Sequence, residues 1–89
     1  MIEREVEIVN RLGLHARAAA KLVHASGNFR SKVTLIWNGE LVDGKSILGI
    51  LLLAAAQGTK LAVRCEGEDE VAAMDAVTAL IADRFGESE

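Results

Sequence analysis

The hydrophobic pattern of this chain switches repeatedly between a period of two and a helical period, and that alternation limits its fold more than any other feature. Ile2, Arg4, Val6 and Ile8 alternate with Glu3, Glu5 and Glu7, which predicts a half-buried strand with an acidic outer face. After the loop "NRLGL", where Gly13 can turn the chain, "ARAAAKLVHAS" is built from strong helix formers and stops at Gly27-Asn28. Val33, Leu35 and Trp37 then alternate with Lys32, Thr34 and Ile36. Asn38-Gly39 is a strong hairpin signal, with Glu40 to Asp43 as the return strand. Ser46 suits the cap of a helix that the apolar run after it continues as far as Gly58. Leu61, Val63 and Cys65 face one way in a fourth strand, against Lys60, Arg64 and Glu66. Asp69 is placed to cap a last helix from Glu70 to about Phe85, with an inner stripe of Val71, Met74, Val77, Ile81 and Phe85.

The order is therefore β-α-β-β-α-β-α. Two strand–helix–strand crossovers joined by a hairpin give a four-stranded sheet with helices on one face. No linker, repeat or low-complexity tract interrupts residues 1–89, so the expectation is a single domain. Of the 89 residues, 51% are hydrophobic, enough for a core without metal or disulfide staples. The lone cysteine, Cys65, cannot form an internal disulfide and reads as a buried strand residue in a protein of a reducing compartment. "MIEREVEIVN" is no secretory leader, and Ile47 to Ala56 is too short to span a bilayer. A cytoplasmic monomer is expected. The absence of proline removes a common source of slow folding.

Chemistry concentrates at two helix starts. If the first helix begins at Ala16, His15 lies at its N-cap, where unpaired backbone N–H groups and the macrodipole favour an anion. Arg17 adds a guanidinium fork suited to phosphate. The same field disfavours imidazolium and leaves a neutral, nucleophilic ring, as a phosphoryl acceptor requires. On spacing alone, a plain capping histidine is the favoured reading. Arg17, Lys21 and His24 share one helix face and, with Lys45 near them, would form a basic patch for an acidic partner. An ordinary solvated face gives the same pattern.

The second start is "SILGILLLAAAQG". It carries no polar stripe, yet a helix on one face of a sheet cannot be covered all round. Some of Ile47, Leu48, Ile50, Leu51 and Leu52 should be exposed and could receive a protein partner. Ser46 caps this helix. A phosphate there would suit the helix end while placing charge beside the apolar patch. No zinc spacing, P-loop, nucleophile elbow or carboxylate pair is present, so no metal or cofactor is expected. Glu66, Glu68, Asp69 and Glu70 read as a loop leading into a favourable helix start.

"GLHARAA" with His15 and Arg17, "KS" at Lys45-Ser46 before an apolar helix, "QGT" at Gln57 to Thr59 and "EGEDE" at Glu66 to Glu70 together resemble the HPr family. These are the histidine-containing phosphocarriers of the bacterial phosphotransferase system. The likeness runs from about Ile2 to Phe85. It implies an α+β fold, the open-faced β-sandwich of βαββαβα order, with a four-stranded antiparallel sheet and three helices on one face. It implies that His15 accepts a phosphoryl group on Nδ1 from phosphorylated Enzyme I and passes it to a IIA-type protein, with Arg17 stabilising the phosphate. Ser46 matches the position modified by HPr kinase/phosphorylase. Lys21, His24, Lys45, Ile47, Leu48, Leu51 and Leu52 fall on the surface that would dock partners. The family usually has proline where this chain has Ala18, and often lysine where it has Gly27 and Gly49. Ala18 and the long, very apolar second helix resemble proteobacterial members, which often serve a nitrogen-related or purely regulatory branch. A regulator read out through Ser46 is the competing function. A nucleic-acid binder is disfavoured by a net charge of −3 and an aromatic content of 3%.

Overall fold

A computed structural model describes residues 1–89. It contains strands β1 (Ile2–Glu7), β2 (Lys32–Trp37), β3 (Glu40–Asp43) and β4 (Lys60–Glu66). Helices α1 (Ala16–Gly27), α2 (Ile47–Leu53) and α3 (Glu70–Ala82) separate them, and a short 3₁₀ turn at Arg84–Gly86 follows α3. The sheet order is β1-β4-β2-β3, and every neighbouring pair is antiparallel. β4 is thus inserted between β1 and β2, and β2 between β3 and β4, so each crossover spans an intervening strand. This is the expected α+β architecture.

Alternation decides which face is buried. Val33 pairs with Cys65 and Leu35 with Val63, and all four are fully buried beneath the helices. Their neighbours point to the open face, where Glu3 and Arg64 are register partners and join at 3.0 Å. The helices contribute Ala18, Ala19 and Leu22 from α1, Ile50 and Leu53 from α2, and Ala73, Met74, Val77 and Ile81 from α3. Alanine on the inner face of α1 lets that helix pack against α2 and α3. The hairpin forms as its sequence predicts: Asn38 and Gly39 have φ of 52° and 80°, the pair of positive values a type I′ turn needs.

Four expectations are corrected. α2 ends at Leu53, well before Gly58, because Ala54 turns left-handed (φ 51°, ψ 38°) and frees the Ala55 carbonyl for Leu14 N–H at 2.9 Å. α3 ends at Ala82, and Phe85 reaches the core from a chain reversal in which Arg84 and Phe85 have φ of 56° and 54°. Val71 is exposed, since at 3.6 residues per turn it lies about 100° from the centre of the Ala73–Met74–Val77–Ile81 stripe. Asp69 occupies the N-cap of α3 without capping it. Its carboxylate reaches across to the loop after α1 and accepts from Arg30 N–H (2.9 Å), Ser31 N–H (2.9 Å) and Ser31 Oγ (2.5 Å). The Ser31 hydroxyl, then the Arg30 amide, hold the Asp69 carboxyl down at about 2. In β1, Ile2 and Val6 are half-buried, whereas Arg4 is exposed beside Asp75 at 3.5 Å; Ile8, just past the strand's end, is fully buried.

Candidate functional site

The loop before α1 is fixed by a close approach of backbones. Gly13 has φ of 67°, and a Cβ there would lie 2.5 Å from the Ala55 carbonyl oxygen, so only glycine fits without a shift. The next residue, Leu14, is buried and donates its N–H to that same carbonyl. Asn10, also buried, donates from Nδ2 to the Gly13 carbonyl at 2.8 Å. Between them these contacts deliver His15 to the helix start with extended backbone (φ −74°, ψ 177°), as an N-cap requires.

Both nitrogens of His15 are engaged. Nδ1 accepts from Arg17 N–H at 3.3 Å, so it carries no proton. Nε2 lies 2.5 Å from a carboxylate oxygen of Glu87, so the ring proton is on Nε2 and is donated there. The other oxygen of Glu87 accepts from Asn10 Nδ2 at 3.2 Å. The hydrogen bond from His15, aided by the one from Asn10, holds the Glu87 carboxyl below its usual range against the opposing effect of burial. The N–H groups of Ala16 and Ala18 in the first turn of α1 have no backbone acceptor. Ala18 is fully buried, and because its N–H has no backbone acceptor, a proline at that position would forfeit no backbone hydrogen bond. The Arg17 guanidinium is exposed and has no partner in the chain. His15, Arg17, Arg11, Leu12 and Glu87 line one cleft of about 710 Å³ with the last two residues of the chain.

The remaining predicted residues are placed as follows. Lys21 ties its ammonium to the Phe85 carbonyl at 2.5 Å, and His24 is exposed on the same face of α1. Lys45 does not join this patch: it is half-buried, donates to the Phe29 carbonyl at 2.8 Å, and does not line the His15 cleft. Ser46 caps α2, its Oγ accepting from Gly49 N–H at 3.1 Å. Of the apolar residues after it, Ile47, Leu48 and Leu52 are exposed, by 44%, 68% and 72%. Leu51 is half-buried and Ile50 is core, so only part of that helix is free. Leu12, 65% exposed, lines the His15 cleft.

Sequence reasoning missed Glu87, Asn10, Arg11 and Leu12. The one available signal for Glu87 was charge: a tail with Glu87 and Glu89 behind Gly86 can turn back onto Arg11 and Arg17. Glu89 does pair with Arg11 at 2.7 Å, and its carbonyl accepts the Arg11 N–H. No three His, Cys, Asp or Glu side chains gather in a way that could hold a metal ion. No helix is long and apolar enough to cross a membrane.

Comparison with known proteins places the chain in a family. The profile of the family described as "PTS HPr component phosphorylation site" matches residues 2–83. The phosphocarrier protein HPr of Cupriavidus necator is 53% identical over 89 residues, covering all of both chains. That of Xylella fastidiosa is 52% identical over 87 residues, or 98% of each chain. Among solved structures, HPr-C-His from Thermoanaerobacter tengcongensis superposes with a TM-score of 0.96 at 39% identity, over the whole of both chains. The chain belongs to the HPr family, the phosphocarrier proteins of the phosphotransferase system.

Proposed function

We propose that this chain carries its phosphoryl group on Nδ1 of His15, receiving it from phosphorylated Enzyme I and giving it to IIA-type proteins. The observation that carries this reading is the state of the ring. Nδ1 is the unprotonated nitrogen; it is bound to the Arg17 N–H at the α1 start, where two further N–H groups have no backbone acceptor, and the unpartnered Arg17 lines the same cleft. The Nδ1 lone pair forms the N–P bond while the bond from phosphorus to the donor breaks and its electron pair leaves with the donor. The phosphate then meets amide hydrogens, the positive helix end and Arg17, all in place before transfer. The protein is a relay acted on by other proteins' catalytic groups, and needs no cofactor. His24, Lys21 and the exposed Ile47, Leu48 and Leu52, with Leu51 at their edge, form the docking surface, and we place the protein in the cytoplasm as a monomer.

Incubation with Enzyme I and labelled phosphoenolpyruvate tests this. The expected label is acid-labile, base-stable and absent from His15→Ala. A chain that takes no label, or keeps it in His15→Ala, overturns the reading.

A second reading is favoured by the place of Ser46, at the head of the one helix with three exposed large apolar residues. Phosphorylation there by an HPr kinase/phosphorylase would set a dianion beside the docking surface and weaken partner binding. If regulation dominates, Ser46→Ala abolishes the cellular response and His15→Ala leaves it intact. Either result separates the two readings.

A further inference from the structure

The C-terminal segment after α3 is held in an unusual path. Three successive residues, Arg84, Phe85 and Gly86, have φ of 56°, 54° and 77°. Two of them are not glycine, and left-handed backbone costs such residues free energy unless surrounding contacts fix it. Here those contacts are visible: the Phe85 ring is fully buried, and its carbonyl accepts from Lys21. The result of this reversal is that Glu87, 72 positions along the chain from His15, sets its carboxylate on the ring.

We propose that Glu87 is a positioning residue for phosphoryl transfer: it pins the His15 proton on Nε2, leaves Nδ1 as the nucleophile, and balances the positive charge of the ring once Nδ1 is phosphorylated. This rests on His15 as the carrier. The bookkeeping of atoms is simple. The neutral ring spends its Nδ1 lone pair on phosphorus, the bond to the donor breaks, and Nε2 keeps its proton, so the ring becomes a phosphoimidazolium. A carboxylate already hydrogen-bonded at Nε2 stabilises that cation, as a buried carboxylate does for a catalytic imidazole in hydrolases. It also keeps the ring in the protonated form that gives up phosphate more readily. Asn10 fixes the second oxygen of Glu87, so the carboxylate cannot turn away from the ring without losing a bond. The other charges facing this site are few. Arg11 and Glu89 neutralise one another, Lys21 is tied to the Phe85 carbonyl, and Arg17, whose backbone N–H binds Nδ1, lines the same cleft.

Two variants of the full chain, with Glu40→Ala as a control away from the site, test the proposal. In unphosphorylated protein, ¹⁵N spectra of the His15 ring read the tautomer directly. Wild type is expected as the Nε2–H form, Glu87→Gln as the same form because its amide oxygen still accepts, and Glu87→Ala as a mixture. With Enzyme I, labelling of Glu87→Ala is expected to be about tenfold slower, the usual scale for one hydrogen bond to a charged group. Glu87→Gln keeps the tautomer but not the charge, so it is expected to label at a rate between those of Glu87→Ala and wild type, and its phosphorylated form reports the charge. Its hydrolysis profile should move toward lower pH by about one unit, because the neutral amide no longer balances the ring charge. Glu40→Ala, at an exposed position of β3 and outside the cleft, should change none of these. An Nδ1–H ring in the wild type, or a Glu87→Ala variant that folds and matches wild type in tautomer and labelling, overturns the proposal. Because the tautomer is read without phosphate, it decides the role of Glu87 even if the label were found elsewhere than His15.

Discussion

Replacing Gly13 with alanine is expected to destabilise the domain by roughly 2–4 kcal/mol, and the structure says where that comes from. An alanine at φ of 67° costs about 1 kcal/mol in left-handed backbone. Its Cβ would sit 2.5 Å from the Ala55 carbonyl oxygen and 3.0 Å from Ala56 Cα, so the two backbones must separate by several tenths of an ångström. That separation strains the Leu14 N–H to Ala55 bond, whose donor and acceptor both belong to buried residues. Leaving such a pair unmet costs about 1–3 kcal/mol. Gly39→Ala is the natural control: it has φ of 80°, and nothing lies within 4 Å of its Cβ. It should lose only the backbone part, about 1 kcal/mol. Urea unfolding followed by far-ultraviolet circular dichroism measures both, with m expected unchanged. In a domain of this size the excess loss of Gly13→Ala corresponds to a melting temperature lower by about 4–8 °C per kcal/mol. Equal losses for the two variants would refute the claim that the close approach to Ala55 holds the loop. The same variant should slow His15 labelling, because the shift falls on the residue next to His15.

Three further outcomes are expected. Arg17→Ala should leave stability within about 0.5 kcal/mol, since its guanidinium is exposed and unpartnered, yet slow labelling of His15; a melting curve and a labelling time course on one sample check both. Ser46→Ala should lose about 1 kcal/mol through the missing bond to Gly49 N–H, while Ser46→Asp retains the cap, as denaturant midpoints will show. The Asp69 carboxyl titrates at about 2 in the fold, below its ordinary 3.8, so its contribution is complete above the ordinary value and is lost as pH falls through about 2. Urea midpoints across that window should therefore drop in the wild type and flatten in Asp69→Ala.

Local pattern made the element order legible. Alternation marked each strand, Asn38-Gly39 the hairpin, and His15 and Ser46 the two caps, because each of these signals lies within a few residues of what it determines. What escaped it was set by contacts far apart in sequence. Nothing near Asp69 announces Ser31, and nothing in the polar tail announces His15. The two helix ends that sequence placed too late are informative together. At Ala54, and again at Arg84 and Phe85, residues able to continue a helix are turned left-handed. Both breaks return the chain to the same loop, one giving the Ala55 carbonyl to Leu14 and the other giving Glu87 to His15. Local preference is overruled at the positions whose long-range partners flank the His15 ring, the pattern expected when a fold holds a reactive side chain in one orientation. On this argument the ends of α2 and α3 are parts of the site, although neither helix body touches the imidazole by a hydrogen bond.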